Sequence, residues 1–303
     1  MSRNSILWPE FLIDAASRGE CVLFVGAGVS RHAKQSGSTG KSPVGWKDLL
    51  TSLLDEIVPP RNGQRPRIRT QIKSKISAGD YLGAAQAIEA AYEQQGLSAE
   101  FRNRIAATVD GPADDPFRPG EVHDAIADLN PRIIVTTNYD NVLERKFSEG
   151  YRAISYKSKH LGDAIRNGSY VILKIHGTKN EPQDLILTRL DFTRLRRKGA
   201  RSLAILEALF MTRTVLFLGY SLGDPDLQLI LENQFGASGE SAGHYMLAHS
   251  SSHSDIDRRI LREAYGVELL TYSGDREVGF RSAIEDLVAR TKEFQLERSG
   301  TLP

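Results

Sequence analysis

An amide, a carboxylate and an imidazole stand where two apolar runs of this sequence end. Asn138 and Asp140 follow the run 133–135, and His176 follows the run 171–175. A neutral amide can hold a water molecule, and an imidazole accepts a proton near neutral pH. These residue types therefore suggest proton transfer from a bound water or hydroxyl group.

Each of these residues also has a purely structural explanation. Asn138 and Asp140 are residue types that commonly cap a helix. His176 could be a hydrogen-bonded histidine of the core. The side chains alone leave both explanations open.

A glycine-containing turn follows another apolar run. Residues 26–30 read GAGVS, and glycines after a strand allow the backbone to approach a phosphate closely. The third glycine of a full dinucleotide-binding fingerprint would be at position 31, which is Arg31. A tight strand–helix turn without a ligand is the alternative.

Four segments share the same order of an apolar, strand-forming run and then polar or glycine residues. They cover 22–30, 132–140, 171–177 and 215–226. Ligands of open α/β sheets bind beyond the carboxyl ends of the strands, so the four segments predict one shared site. We therefore expect an α/β fold, a Rossmann-like parallel sheet flanked by helices.

The rest of the chain supplies further elements. Additional strands are predicted at 185–187, 245–248 and 267–271. Helical patterns broken by glycines predict a small helical insertion over about 59–120. We expect one domain over 1–290 and a flexible tail over 291–303.

Composition narrows the class of protein. The chain has 303 residues, a net charge of +1 and one cysteine, Cys21, so an intramolecular disulfide and a cysteine zinc cluster are excluded. His244, His249 and His253 lack acidic or cysteine partners at metal spacing, and no metal site is expected. Without an apolar run of membrane length or a signal peptide, we expect a cytoplasmic protein that binds neither membranes nor nucleic acid directly.

Four motifs together resemble the sirtuin superfamily. They are GAGVS at 26–30, TTNYD at 136–140, KIHG at 174–177 and GYSLGDPDL at 219–227. Sirtuins carry a GAG-S turn, a T-x-N-x-D segment, a catalytic histidine before glycine and a later G-x-S in this order. The resemblance extends from residue 21 to about 272.

The differences from protein-deacylating sirtuins narrow the resemblance. Those enzymes insert a zinc module held by four cysteines, and this chain has one cysteine. The Asn-Tyr-Asp, Gly-Tyr-Ser-Leu and Asp-Pro-Asp variants instead resemble the sirtuin-like domains of bacterial anti-phage defence systems. The resemblance thus implies a sirtuin-like domain without a zinc module.

The resemblance also implies a function. It suggests an NAD glycohydrolase that cleaves its substrate NAD to nicotinamide and ADP-ribose, needs no metal and depletes NAD during abortive infection. Asn138 would orient the reacting water, Asp140 would support the site, and His176 would be the base. NAD binding is assigned to Gly26, Ala27, Gly28, Ser30, Thr137, Gly219, Ser221 and Asp224. Gly26 and Gly28 would cradle the phosphates with help from Ser30, while Ser221 and Asp224 would lie near the adenosine ribose.

The implied chemistry agrees with the residue types. Breaking the nicotinamide–ribose bond builds oxocarbenium-like positive charge on the sugar. A water held by Asn138 can then attack from the opposite face, and His176 can take a proton from that water or from a ribose hydroxyl.

Such an activity would need a restraint, because uncontrolled loss of NAD would kill the host. We therefore expect a homo-oligomer and a partner protein, either Argonaute-like or a hexameric DNA-translocating ATPase of the HerA type. Basic runs at 61–75 and 194–201 could be docking surfaces or simply solvated faces.

Other functions remain open at this point. A protein deacylase is disfavoured by the missing zinc cysteines, and no acceptor is identifiable for an ADP-ribosyltransferase. A module that senses NAD or ADP-ribose without cleaving it needs no base, so Asn138 and His176 argue against it. Binding without turnover, unaffected by His176→Ala, would favour the sensor.

Overall fold

The structure is a computed structural model that describes residues 6–36, 40–59, 67–238 and 243–300. Its central feature is a seven-stranded sheet with the order β3-β4-β2-β1-β5-β6-β7. All neighbouring strands are parallel. The predicted Rossmann-like parallel sheet flanked by helices is therefore confirmed. The strands are β1 Val22–Val25, β2 Ile133–Thr136, β3 Tyr151–Ser155, β4 Tyr170–Lys174, β5 Val215–Leu218, β6 His244–His249 and β7 Val267–Tyr272.

Helices cover both faces of the sheet. In chain order they are α1 Glu10–Ser17, α2 Ala27–Ser30, α3 Trp46–Ile57, α4 Arg67–Ser77, α5 Tyr81–Gln94, α6 Ser98–Asp110, α7 Glu121–Asp128, α8 Val142–Lys146, α9 Leu161–Arg166, α10 Arg189–Lys198, α11 Ala200–Thr212, α12 Pro225–Ser238, α13 Asp255–Tyr265 and α14 Arg276–Arg298. Within the described residues, no helix combines the length and apolar character that a membrane span requires.

The central strands are buried on both sides, which explains their uninterrupted apolar sequences. Successive residues of β1 alternate between two cores, because side chains of a strand point to opposite faces. Leu23 and Val25 pack with α1, α7 and α14. Val22 and Phe24 pack with α9, α11, α12 and α13.

Helices α3 to α6 form a third core at the side of the sheet. The glycines that break the predicted helical pattern are Gly79, between α4 and α5, and Gly96, between α5 and α6, and both have positive φ. The same core includes Tyr139, Leu185 and Leu187. The helical module therefore packs against the segment that follows β2. Arg61 and Arg65 of the predicted basic run lie outside the described residues.

The predicted strand at 185–187 is wrong. This segment is buried but irregular, because its backbone groups bond to side chains and to the loop after β4 instead of to a neighbouring strand. Leu185 O accepts from Arg102, Ile186 N donates to His176 O, and Leu187 N donates to Asp191. Burial of the three apolar side chains explains why the sequence resembled a strand.

Two other elements differ from expectation. The edge strand β3 was not predicted, since four of its five side chains are exposed or half-exposed and its sequence, YRAIS, has no apolar run. Helix α14 continues to Arg298, so the predicted tail over 291–303 is helical for most of its length. Its last three residues lie outside the described part of the chain.

A buried histidine in α7 makes the fold sensitive to acid. The side chain of His123 is fully buried, and its Nδ1 accepts from Gly120 N at 3.1 Å. Burial lowers the pKa of His123 to about 4, assisted by the nearby His32. The unfolded chain binds a proton at higher pH than the folded chain, so stability is lost as pH falls from about 6.5 to about 4. At 1.36 kcal/mol per pKa unit, His123 contributes about 3 kcal/mol to this loss.

We expect His123→Gln to reduce the acid sensitivity of folding. Glutamine at the third position of a helix can still accept from the Gly120 N–H, but it does not titrate. The free energy of unfolding, measured by urea denaturation from pH 7 to pH 4, should fall less in this variant than in the wild type. His160→Gln, at an exposed histidine, is the control. Parallel pH curves for the wild type and His123→Gln would contradict the assignment.

Candidate functional site

The four predicted polar segments leave the sheet at the same edge. Val25 of β1 pairs with Thr136 of β2 and with Leu218 of β5, and Thr136 pairs with Lys174 of β4. These four paired residues are also the last residues of their strands. The loops after β1, β2, β4 and β5 therefore start at one level, at the carboxyl edge where ligands of parallel α/β sheets bind.

Asn138 is buried in the loop after β2, and its amide has a defined orientation. Its Nδ2 donates to Gly26 O at 3.0 Å and to Ser30 Oγ at 2.9 Å. A backbone carbonyl only accepts, so the amide nitrogen must be the atom that faces Gly26. Both amide hydrogens are used, and Oδ1 has no hydrogen bond to the described residues. Asn138 therefore offers a free acceptor at the sheet edge.

Ser30 and Asp140 complete this hydrogen-bonded group. The Ser30 hydroxyl accepts from Asn138 and donates to Asp140 Oδ2 at 2.8 Å. Asp140 Oδ1 accepts from Val142 N at 3.0 Å, at the start of α8. Burial raises the pKa of Asp140, while Lys174 and the Ser30 hydroxyl favour its charged form. In this structure Ser30 and Asp140 orient the Asn138 side chain.

The glycines of the first turn allow close contact between two backbones. A Cβ atom on Gly26 would lie 2.5 Å from Gly219 O, and one on Gly28 would lie 2.7 Å from Gly219 Cα. Gly219 itself has φ of +58°, and Gly28 N donates to its carbonyl at 2.8 Å. A side chain at any of these positions would separate the loops after β1 and β5. This packing requires glycine whether or not a phosphate binds.

His176 and Asp224 form the second polar group at this edge. His176 Nε2 lies 2.8 Å from Asp224 Oδ2, and both side chains are buried. Asp224 Oδ1 accepts from the backbone N–H groups of Asp226 and Leu227 in the first turn of α12. The His176 ring packs edge-on against Phe192, with a centroid distance of 5.2 Å. The pairing of His176 with Asp224 was not predicted, because the resemblance assigned Asp224 to the adenosine ribose.

Electrostatics favour an ionised Asp224. Burial raises the pKa of this carboxyl, but the neighbouring His176 and the backbone N–H groups outweigh that effect and lower it overall. A charged carboxylate only accepts hydrogen bonds. His176 must therefore present a proton on Nε2.

Two buried charges that the sequence reasoning missed hold the Asn138 loop in place. Lys174 is 1% exposed, and its Nζ donates to the backbone carbonyls of Tyr139 and Asp140 and contacts Glu144. Asp110, at the end of α6, accepts from Asn141 N at 2.8 Å. The role of Lys174 could have been suspected from the sequence, because a lysine stands inside the apolar run VILKIHG. The role of Asp110 depends on the docking of the helical module, and no local sequence pattern indicates it.

The other predicted binding residues line the same loops without a role that the geometry defines. Ala27 and Ser221 are exposed, and Thr137 is half-buried. No group of three or more histidine, cysteine or acidic side chains that could hold a metal ion occurs within the described residues. As a whole, the edge combines a free amide oxygen with a histidine held by a carboxylate. That combination can bind a water molecule and accept a proton.

A family model matches the part of the chain that supplies six of the seven strands, β2 to β7. Residues 132–270 match the model described as "SIR2-like domain". The match begins just before β2 and ends within β7, and it contains Asn138, Asp140, His176 and Asp224. It confirms the predicted resemblance to sirtuins.

Similar proteins come from bacteria. "Defense-associated sirtuin 2" of Bacillus subtilis is 25% identical over 224 residues, which are 73% of this chain and 20% of that protein. "NAD(+) hydrolase ThsA" of Enterococcus faecium is 26% identical over 73% of this chain and 41% of its own length. The hydrolase of the same name from Bacillus cereus (strain MSX-D12) is 28% identical over 74% of this chain and 42% of its own length. The chain thus spans about a fifth to two fifths of the length of these relatives.

A solved structure with a related description also aligns. The crystal structure of a Sir2 homologue in complex with NAD has a TM-score of 0.40 and 14% sequence identity, and the alignment covers 97% of this chain and 98% of that one.

Proposed function

We propose that this chain, whose residues 132–270 match the model of a SIR2-like domain, is an NAD hydrolase that releases nicotinamide and ADP-ribose. The observation that carries the proposal is that a free Asn138 amide oxygen and a His176 held by Asp224 lie at the same edge of the sheet. The names of the relatives, which include three NAD(+) hydrolases and a defence-associated sirtuin, support NAD as the substrate.

The proposed reaction is hydrolysis of the glycosidic bond. The bond between the ribose C1′ and the nicotinamide nitrogen breaks, and nicotinamide leaves as a neutral molecule with the bonding electron pair. The oxygen of a water molecule bonds to C1′, and His176 takes the proton that this water loses. The products are nicotinamide, ADP-ribose and one proton.

Asn138 would hold the attacking water. Its Nδ2 is committed to Gly26 and Ser30, so only Oδ1 can interact with the substrate or solvent. A water that donates one hydrogen to Oδ1 keeps a lone pair available for C1′. Asp140 would act indirectly, because its carboxylate accepts from the Ser30 hydroxyl that orients the Asn138 amide.

The remaining NAD contacts are proposed from the shared sheet edge. The loop with Gly26, Ala27, Gly28 and Ser30 would lie along the phosphates, and Thr137 would lie near the nicotinamide ribose. Gly219 and Ser221 would lie towards the adenosine. The close packing of Gly26 and Gly28 on Gly219 supports this proposal because it keeps the loops after β1 and β5 adjacent.

The biological role that we propose is NAD depletion in anti-phage defence, under the control of assembly or of a partner protein. A host needs such control over an NAD hydrolase. Arg197, Lys198 and Arg201, at the junction of α10 and α11, have no ion-pair partner among the described residues and could contact an anionic partner surface. An Argonaute-like protein or a DNA-translocating ATPase of the HerA type remains the proposed partner.

The direct test is nicotinamide release from NAD by the purified chain, followed by chromatography. We expect one nicotinamide and one ADP-ribose per NAD consumed, with a rate that rises at high protein concentration if assembly activates the chain. The companion measurement is the NAD content of phage-infected cells that produce the chain. NAD that is bound but stays intact, both in the purified system and in infected cells, would reject the hydrolase and favour a sensor.

A further inference from the structure

The Asp224 carboxylate uses its two oxygens for different partners. Oδ1 accepts from Asp226 N at 2.8 Å and from Leu227 N at 3.2 Å, and so caps α12. Oδ2 lies 2.8 Å from His176 Nε2. The helix cap therefore holds the second oxygen rigidly in front of the imidazole.

We propose that Asp224 is a positioning residue that fixes the Nε2–H tautomer of His176 and leaves Nδ1 as the proton acceptor. The inference rests on the proposed hydrolase function and deepens it. An ionised Asp224 cannot donate, so the shared proton must belong to His176. A neutral histidine carries one ring proton, and a proton on Nε2 leaves the lone pair on Nδ1.

Packing supports the same orientation of the ring. Phe192 meets the imidazole edge-on at an interplanar angle of 84°, and both side chains are buried. His176 is thus held by a carboxylate at one ring nitrogen and by an aromatic wall. Rotation of the ring would leave the charged Asp224 buried without its partner, which is unfavourable.

Three roles of Asp224 predict different results for Asp224→Asn. Asparagine keeps the helix cap, because its carbonyl oxygen can accept from the same two N–H groups. Its NH₂ group faces His176, however, and can only donate, which moves the ring proton to Nδ1. A positioning residue predicts a fall in kcat of about 10²- to 10⁴-fold, with little change in the Kd for NAD.

The alternatives give distinct patterns in the same experiment. A ligand of the adenosine ribose predicts a Kd weakened by about tenfold or more and a kcat at saturating NAD near the wild-type value. A helix cap alone predicts that both constants stay unchanged. Either pattern would overturn the proposal. The matched control is Asp275→Asn, since Asp275 caps α14 through Glu277 N and Val278 N in the same way and is exposed to solvent.

A second measurement does not depend on turnover. In ¹⁵N-histidine-labelled chain, the signals of His176, assigned with a His176→Gln variant, should show the Nε2–H tautomer in the wild type and the Nδ1–H tautomer in Asp224→Asn. An unchanged tautomer would overturn the inference even if the chain hydrolyses NAD. A changed tautomer in a chain without turnover would preserve the pairing and reject the hydrolase function.

Discussion

His176→Gln is expected to lower nicotinamide release by about 10²- to 10⁴-fold, the usual contribution of general acid–base catalysis. Glutamine cannot take a proton from water near neutral pH. Its amide can still donate to Asp224, so the buried carboxylate keeps a partner. Binding of NAD, measured by calorimetry, should remain close to that of the wild type.

The choice of glutamine separates loss of catalysis from loss of folding. His176→Ala would leave the carboxylate of Asp224 buried without its hydrogen-bond partner, and unpaired buried charges are strongly destabilising. His160→Gln replaces an exposed histidine and should release nicotinamide at the wild-type rate. If His176→Gln retained a rate within a few fold of the wild type, His176 would not be the base.

Asn138→Ala is expected to reduce turnover by about 10²-fold or more, because a reacting group that is no longer held in position loses rate on this scale. The substitution removes the free Oδ1 acceptor and the two bonds from Nδ2 to Gly26 and Ser30. We expect the loss mainly in kcat, since the water, and not NAD, is the proposed partner of Oδ1. Steady-state kinetics of nicotinamide release, combined with the Kd for NAD, measures both quantities.

Two comparisons sharpen this prediction. Asn167→Ala removes an exposed asparagine that lies just before the amino end of β4, away from the site at its carboxyl end. This substitution should leave turnover unchanged. Asn138→Asp keeps the shape of the side chain, but a carboxylate cannot donate to Gly26 O, so we expect it to be inactive as well. A large loss of NAD affinity in Asn138→Ala, with kcat retained, would make Asn138 a substrate ligand instead of a holder of water.

Several features of this protein follow from the sequence alone. Strands β1, β2, β4 and β5 were predictable because each is a short, continuous apolar run, and such a run is stable only when it is buried on both faces. The positions of Asn138, Asp140 and His176 at strand ends then followed from the rule that parallel strands present their carboxyl ends at one edge. The order of the four motifs was sufficient to indicate the resemblance to sirtuins.

Local pattern was insufficient where the backbone is buried but irregular. The apolar residues at 185–187 indicated a strand, yet their hydrogen bonds go to Arg102, Asp191 and the loop after β4. Burial and strand formation produce the same short apolar signal. Only the positions of distant polar groups distinguish the two.

The partners of the site residues were decided by the tertiary structure. Ser30 meets Asn138 and Asp140 across more than a hundred positions of sequence, and Asp224 meets His176 across the loops after β5 and β4. Strand order and the direction of each side chain determine these contacts, and neither can be predicted from the local spacing of residues. The sequence therefore determined which groups reach the sheet edge, while the fold determined which of them bond, because a hydrogen bond depends on distances of a few tenths of an ångström.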